Sequence, residues 1–107
     1  MSATVNVNGR VFHQELALIS VSDHGFLYGD GVYETLRTYN DRLFLFDRHM
    51  RRLRQSAEML ALAVPLSNDQ IASGIAETIG AARLGRDDEA YVRVIVTRGV
   101  GDLSYDL

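Results

Sequence analysis

The sequence predicts an α+β domain: a mostly antiparallel sheet built from hairpins, with two consecutive helices packed on one side. Three observations carry that prediction. Two turn dipeptides, Asn8-Gly9 and Asn40-Asp41, each sit between extended runs. Stretches near 47–62 and 68–83 repeat apolar residues at helical spacing. A β-branched run near 90–98 closes the pattern. The resulting order is ββ-ββ-αα-β, and 107 residues make a single domain the expectation.

Each element has a local reason. Thr4 to Val7 and Arg10 to His13 flank Asn8-Gly9, and both residues of such a turn must accept positive φ. Ser22-Asp23-His24-Gly25 and the glycines at 29 and 31 read as a loop that brings backbone close to a neighbour. Val32 to Tyr39 and Leu43-Phe44-Leu45-Phe46 read as the strands of a second hairpin. Period two puts Tyr33, Thr35, Arg37 and Tyr39 on one face, with Val32, Glu34, Leu36 and Thr38 on the other. A face carrying tyrosine, threonine and arginine meets water or lines a polar pocket. Asp47 is the expected N-cap of a helix striped by Met50, Leu53, Ala57 and Leu60, with His49, Arg52 and Ser56 ridged along the stripe's edge. Ser67 and Gln70 have capping-box spacing, and Gly85 suits the C-terminal cap of the second helix. The two helices should pack through Met50, Leu53, Leu60, Ile71, Ile75 and Ile79. Ala90 to Thr97 reads as a central strand with Arg93 embedded in it. A guanidinium buried there must meet a carboxylate, a carbonyl or a ligand, so an internal salt bridge and a ligand-facing role are both open. Residues 99–107 show no further element and read as a cut inside a loop.

Composition excludes several classes of function. With 47% hydrophobic and 23% charged residues, the chain can fill a modest core. No apolar run approaches the ~20 residues of a membrane span, and no leader pattern opens the chain. Without cysteine there is no disulfide framework, thiolate metal site or cysteine nucleophile, which fits a cytoplasmic setting. A net charge of −3 argues against nucleic acid as a partner. The histidines at 13, 24 and 49 have no metal-pair spacing, so no metal is expected. Gly29-Asp30-Gly31 lacks the third glycine of a dinucleotide loop and leads into a strand. All eleven basic residues are arginine. A mechanism that needs a lysine amine cannot be completed by this chain. Arg48, Arg51, Arg52 and Arg54 crowd one helix with His49, either as a solvated face or as an anion site matching phosphate oxygens.

An ordered series of segments resembles the N-terminal domain of fold-type IV pyridoxal-phosphate-dependent enzymes, the class IV aminotransferases, in their branched-chain aminotransferase-like form. The segments are Val21-Ser22-Asp23, Tyr28 to Glu34, Leu36 to Tyr39, His49 to Leu53 with Ser56-Ala57, Tyr91-Val92-Arg93 and Val96 to Gly99. They span the chain from about residue 3 onward. The resemblance implies that Arg52 clamps the phosphate of pyridoxal 5'-phosphate, and that Tyr28, Tyr33, Thr35, Arg37 and Arg93 face the substrate. Arg48, Arg51 and Arg54 keep the solvated-face reading. It implies no catalytic residue here: the Schiff-base lysine, the carboxylate on the pyridine nitrogen and most of the cofactor bed belong to a C-terminal catalytic domain. These 107 residues alone are therefore expected to be inactive and to hold little cofactor. The full-length enzyme is expected to be a homodimer acting on amino acids and 2-oxo acids. Arg37 and Arg93 favour branched-chain L-amino acids, although Thr35 stands where many branched-chain members carry glycine. D-amino-acid aminotransferase and aminodeoxychorismate lyase are alternatives within the family. A non-catalytic α+β interaction or dimerisation module is the alternative outside it.

Overall fold

Asn8 and Gly9 take φ of 53° and 92°, the left-handed pair that a two-residue hairpin turn demands. They join β1 (Thr4–Val7) to β2 (Arg10–His13), with Thr4 opposite His13 and Val7 opposite Arg10. Asn40 and Asp41, at 51° and 63°, do the same between β3 (Gly31–Tyr39) and β4 (Arg42–Leu43). These elements belong to a computed structural model that describes residues 3–101.

The second hairpin is shorter than its sequence predicts. After Leu43 the chain leaves the sheet, Leu45 turns left-handed at φ 56°, and α2 (Phe46–Met59) begins at once. Asp47 therefore sits in the first helical turn and not at the N-cap, where its charge still faces the positive end of the helix dipole.

β5 (Tyr91–Thr97) pairs antiparallel with β3, from Gly31 opposite Thr97 to Arg37 opposite Tyr91. The order β4-β3-β5 makes β3 the middle strand and leaves β5 at an edge among the described strands, which corrects the expected central position. β1 and β2 form a separate two-stranded sheet, so the two hairpins do not share one ladder.

α2 lies on one face of β3, where Leu36, Met50 and Leu53 are fully buried. Val32, Ala57, Leu62, Ile71 and Ile75 complete the core. α3 (Asn68–Ala82) starts at the predicted capping box, with Ser67 and Gln70 exchanging side-chain and backbone bonds. It covers the β1–β2 hairpin, and Asn6 Nδ2 donates to Thr78 Oγ1 across that contact at 3.2 Å. Leu60 is 44% exposed because α2 ends one residue earlier, and the expected packing of the two helices on each other gives way to separate seats, α2 on β3 and α3 on β1. Arg83 closes α3 in the left-handed conformation, and Gly85 instead donates its N–H to Asp88. Among the described residues no helix is long and apolar enough to cross a membrane.

The loop expected around residues 22–31 contains a short helix, α1 (His24–Tyr28). Asp23 caps it by accepting from the Gly25 N–H at 2.7 Å, and Gly29 ends it at φ 65°. The close approach is real: a Cβ at Gly25 would strike the Thr97 side chain, and one at Gly31 would strike the Val96 carbonyl. Val100 still bridges to Asp23, so pairing continues past Arg98. The expected open end from 102 to 107 lies outside the described residues.

Candidate functional site

The pleat of β3 sorts its residues sharply. Val32, Glu34, Leu36 and Thr38 are buried beneath α2, while Tyr33, Thr35 and Tyr39 are exposed and Arg37 is half-buried. β5 alternates in phase, with Tyr91, Arg93 and Ile95 exposed. Tyr33 lies opposite Ile95, Thr35 opposite Arg93 and Arg37 opposite Tyr91. Residues directly opposite in an antiparallel pair share a face, so Tyr33, Thr35, Arg37 and Arg93 share the face of the sheet that α2 leaves open among the described residues.

Aromatic rings hold its two guanidinium groups. The Arg93 guanidinium carbon lies 5.2 Å from the Tyr33 ring centroid, and that of Arg37 lies 5.5 Å and 5.6 Å from Tyr39 and Tyr91. Arg37 also donates from Nε to the Thr38 carbonyl at 3.2 Å. Among the described residues neither arginine forms an ion pair. Arg93 is thus exposed, which corrects the expectation drawn from its apolar neighbours. It sits on the open side of an edge strand, where burial demands no internal partner. Two stacked guanidinium groups on one face can receive a carboxylate, since stacking leaves their terminal N–H groups available.

The covered face carries a second constellation. The Glu34 side chain is only 7% exposed and accepts from Arg52 and His49. Arg52 Nη2 donates to Oε1 at 2.7 Å, and its Nε reaches Oε1 and Oε2 at 3.1 Å and 3.0 Å. His49 Nδ1 meets Oε1 at 2.7 Å. The Arg52 hydrogen bond, more than any other contact, holds the Glu34 carboxyl below the usual glutamate range, against the opposing effect of burial. The Arg52 side chain itself stays 61% exposed.

The arginine cluster therefore divides by role. Arg52 is tied to the sheet, and Arg48 and Arg51 are exposed. Arg54 departs from the solvated-face expectation: it donates to Asn68 Oδ1 at 2.8 Å and to the Leu66 carbonyl at 2.7 Å, bracing the connection between the helices. Tyr28 lies at the end of α1, 41% exposed, with its ring edge-to-face against His24. So the structure brings together Tyr33, Thr35, Arg37 and Arg93, whereas Arg52 approaches β3 from the opposite side. Glu34 and His49 were missed by sequence reasoning. The available signal was a carboxylate in phase with Val32 and Leu36, which requires a cation; His49 and Arg52, three apart on one helix, supply the donors.

Residues 31–106 match the amino-transferase class IV family, and the chain belongs to that family. It is 40% identical over 95% of its length to a Methanocaldococcus jannaschii protein named "Putative branched-chain-amino-acid aminotransferase", covering 34% of that protein. It is 34% identical over 94% of its length to an aminodeoxychorismate lyase of Bacillus subtilis, again covering 34%. Its fold superposes with a TM-score of 0.82 on the branched-chain aminotransferase of the thermophilic archaeon Thermoproteus uzoniensis, solved with norvaline. That match is 29% identical and covers 100% of this chain and 37% of the other. The chain thus spans about a third of the length of the curated relatives it matches, corresponding to their N-terminal part. The family depends on pyridoxal phosphate.

One feature of this chain fits that cofactor directly. A guanidinium has two forks of donors; Glu34 occupies the Nε–Nη2 fork of Arg52, and among the described residues Nη1 has no partner. The Nη1–Nη2 fork matches phosphate oxygens in the bidentate manner.

Proposed function

We propose that these residues form the N-terminal domain of a pyridoxal-phosphate-dependent aminotransferase acting on branched-chain L-amino acids and 2-oxo acids. The observation that carries the reading is the uncovered face of β3 and β5, where Arg37 and Arg93 stack on tyrosines without an ion pair among the described residues. The 40% identity to the archaeal relative supports the substrate class. When bound, the cofactor supplies the electron sink that makes the substrate α-proton removable.

The chain's own residues would bind and orient. Arg52 holds the phosphate through its outward fork. Arg37 and Arg93 receive the substrate carboxylate, Tyr33 walls the apolar side chain, Thr35 narrows the floor between them, and Tyr28 closes the edge. The amine that holds the cofactor comes from residues beyond this lysine-free chain, and the full-length enzyme works as a homodimer.

A second reading within the family rests on the 34% identity to an aminodeoxychorismate lyase over nearly the same span. The test is an assay of the full-length protein on leucine with 2-oxoglutarate, on D-alanine and on aminodeoxychorismate. Turnover of leucine well above the other two is expected. Dominant turnover of either rival transfers the substrate assignment to it, and no turnover on any favours a non-catalytic module.

A further inference from the structure

We propose that Glu34 is a positioning residue for the phosphate anchor: it grips Arg52 by one fork so that the other is presented, already oriented, to the cofactor phosphate. This rests on the assignment of Arg52 to the phosphate.

The geometry distinguishes such a role from simple charge neutralisation. Neutralising a buried carboxylate requires only a cation nearby, in no particular orientation, and burying that cation too would add a second desolvation penalty. Here the two partners differ widely, with 7% of the Glu34 side chain exposed against 61% for Arg52. The carboxylate is fixed to the middle strand between Val32 and Leu36, both in the core. His49, one turn before Arg52 on α2, pins the same Oε1 at 2.7 Å. The guanidinium is then held by three contacts of 2.7–3.1 Å along its Nε–Nη2 edge. What remains is a rigid pair of outward donors on an otherwise mobile side chain. The rotamer freedom that phosphate binding would remove has been removed in advance.

Charge alone predicts the opposite effect. The Glu34 negative charge lowers the attraction of Arg52 for an anion, so neutralising it would tighten phosphate binding if orientation were irrelevant. Positioning predicts weaker binding. The two accounts differ in sign.

The experiment uses the full-length apoenzyme titrated with pyridoxal 5'-phosphate, comparing the parent with Glu34→Gln, Arg52→Ala and the double variant. Dissociation constants come from fluorescence, and the environment of the bound phosphate from its 31P resonance. Glu34→Gln is expected to weaken binding about tenfold, the scale of one charge-assisted hydrogen bond, and to shift the 31P signal toward that of free cofactor. The double variant is expected to match Arg52→Ala within about twofold, because Glu34 acts only through Arg52. Unchanged or tighter binding in Glu34→Gln overturns the proposal, as do additive losses in the double variant. If Arg52→Ala binds as tightly as the parent, the phosphate assignment falls first and the positioning role with it. Should Glu34→Gln fail to fold, Glu34→Asp keeps the buried charge, withdraws it by one methylene and is read by the same criteria.

Discussion

Glu34 links the stability of this domain to its proposed chemistry at the level of one side chain. Its carboxyl is held below the ordinary glutamate value of about 4.3, chiefly by the Arg52 hydrogen bond. A lowered native value means stability that is complete above the ordinary value and lost as pH falls through the native one. Chemical denaturation of the full-length protein from pH 7 to pH 3 should show this loss, and Glu34→Gln should flatten it. An equally steep profile in the variant would assign the acid sensitivity elsewhere. Glu89 keeps some slope in any case, since its carboxyl is lowered mainly by the Thr38 hydroxyl, which donates to it at 2.7 Å. On the open face, Arg93→Leu retains much of the packing against Tyr33 and removes the charge. It should raise KM for amino acids by about tenfold, the scale of a lost charge-assisted contact, with little change in melting temperature. A fall in melting temperature with KM unchanged would make Arg93 a structural residue.

Among the elements, α1 depends most on residues without side chains. Gly25 packs against Thr97, so Gly25→Ala must push α1 off the end of β5, at a cost of about 1–3 kcal/mol for overpacking. Denaturation midpoints test this, and an unchanged midpoint would show that α1 yields freely. At the end of α3, Arg83 occupies a left-handed cap that glycine fills without strain. Arg83→Gly should therefore be neutral or stabilising by up to about 1 kcal/mol, unlike a glycine placed within the helix. Legibility in the sequence followed how local each signal was. Asn8-Gly9, Asn40-Asp41 and the Ser67–Gln70 box were readable because a few adjacent residues decide each of them. β4 and the start of α2 were not, because Phe44-Leu45 has strand composition and it is the backbone reversal at Leu45 that ends the strand. The division of the sheet into two was also hidden, since ladder membership depends on distant partners. For the site, the alternation of β3 revealed Tyr33, Thr35 and Arg37 as a shared face. It could not show whether Arg93 was buried, because that depends on β5 lying at an edge.

For the molecule as a whole, the absence of lysine sets the sharpest expectation. The 107-residue chain mixed with pyridoxal phosphate and reduced with borohydride should carry no stoichiometric covalent adduct by mass spectrometry, beyond weak labelling at the N-terminus. A one-to-one adduct would mean that another group does this chemistry. The two-sided pleat of β3 has a consequence for how such a protein can change over generations. Positions 33, 35 and 37, with 91, 93 and 95 beside them, face away from the core, so a population can sample new residues there without losing the fold. Their immediate neighbours at 32, 36 and 38 are buried and tolerate little. Along a single strand, every second codon is open to new specificity while the ones between stay fixed. A library randomised at the six outward positions should retain far more folded members than one randomised at the inward set. Position 34 is the exception: it lies on the conservative side, yet it grips Arg52, the proposed phosphate anchor.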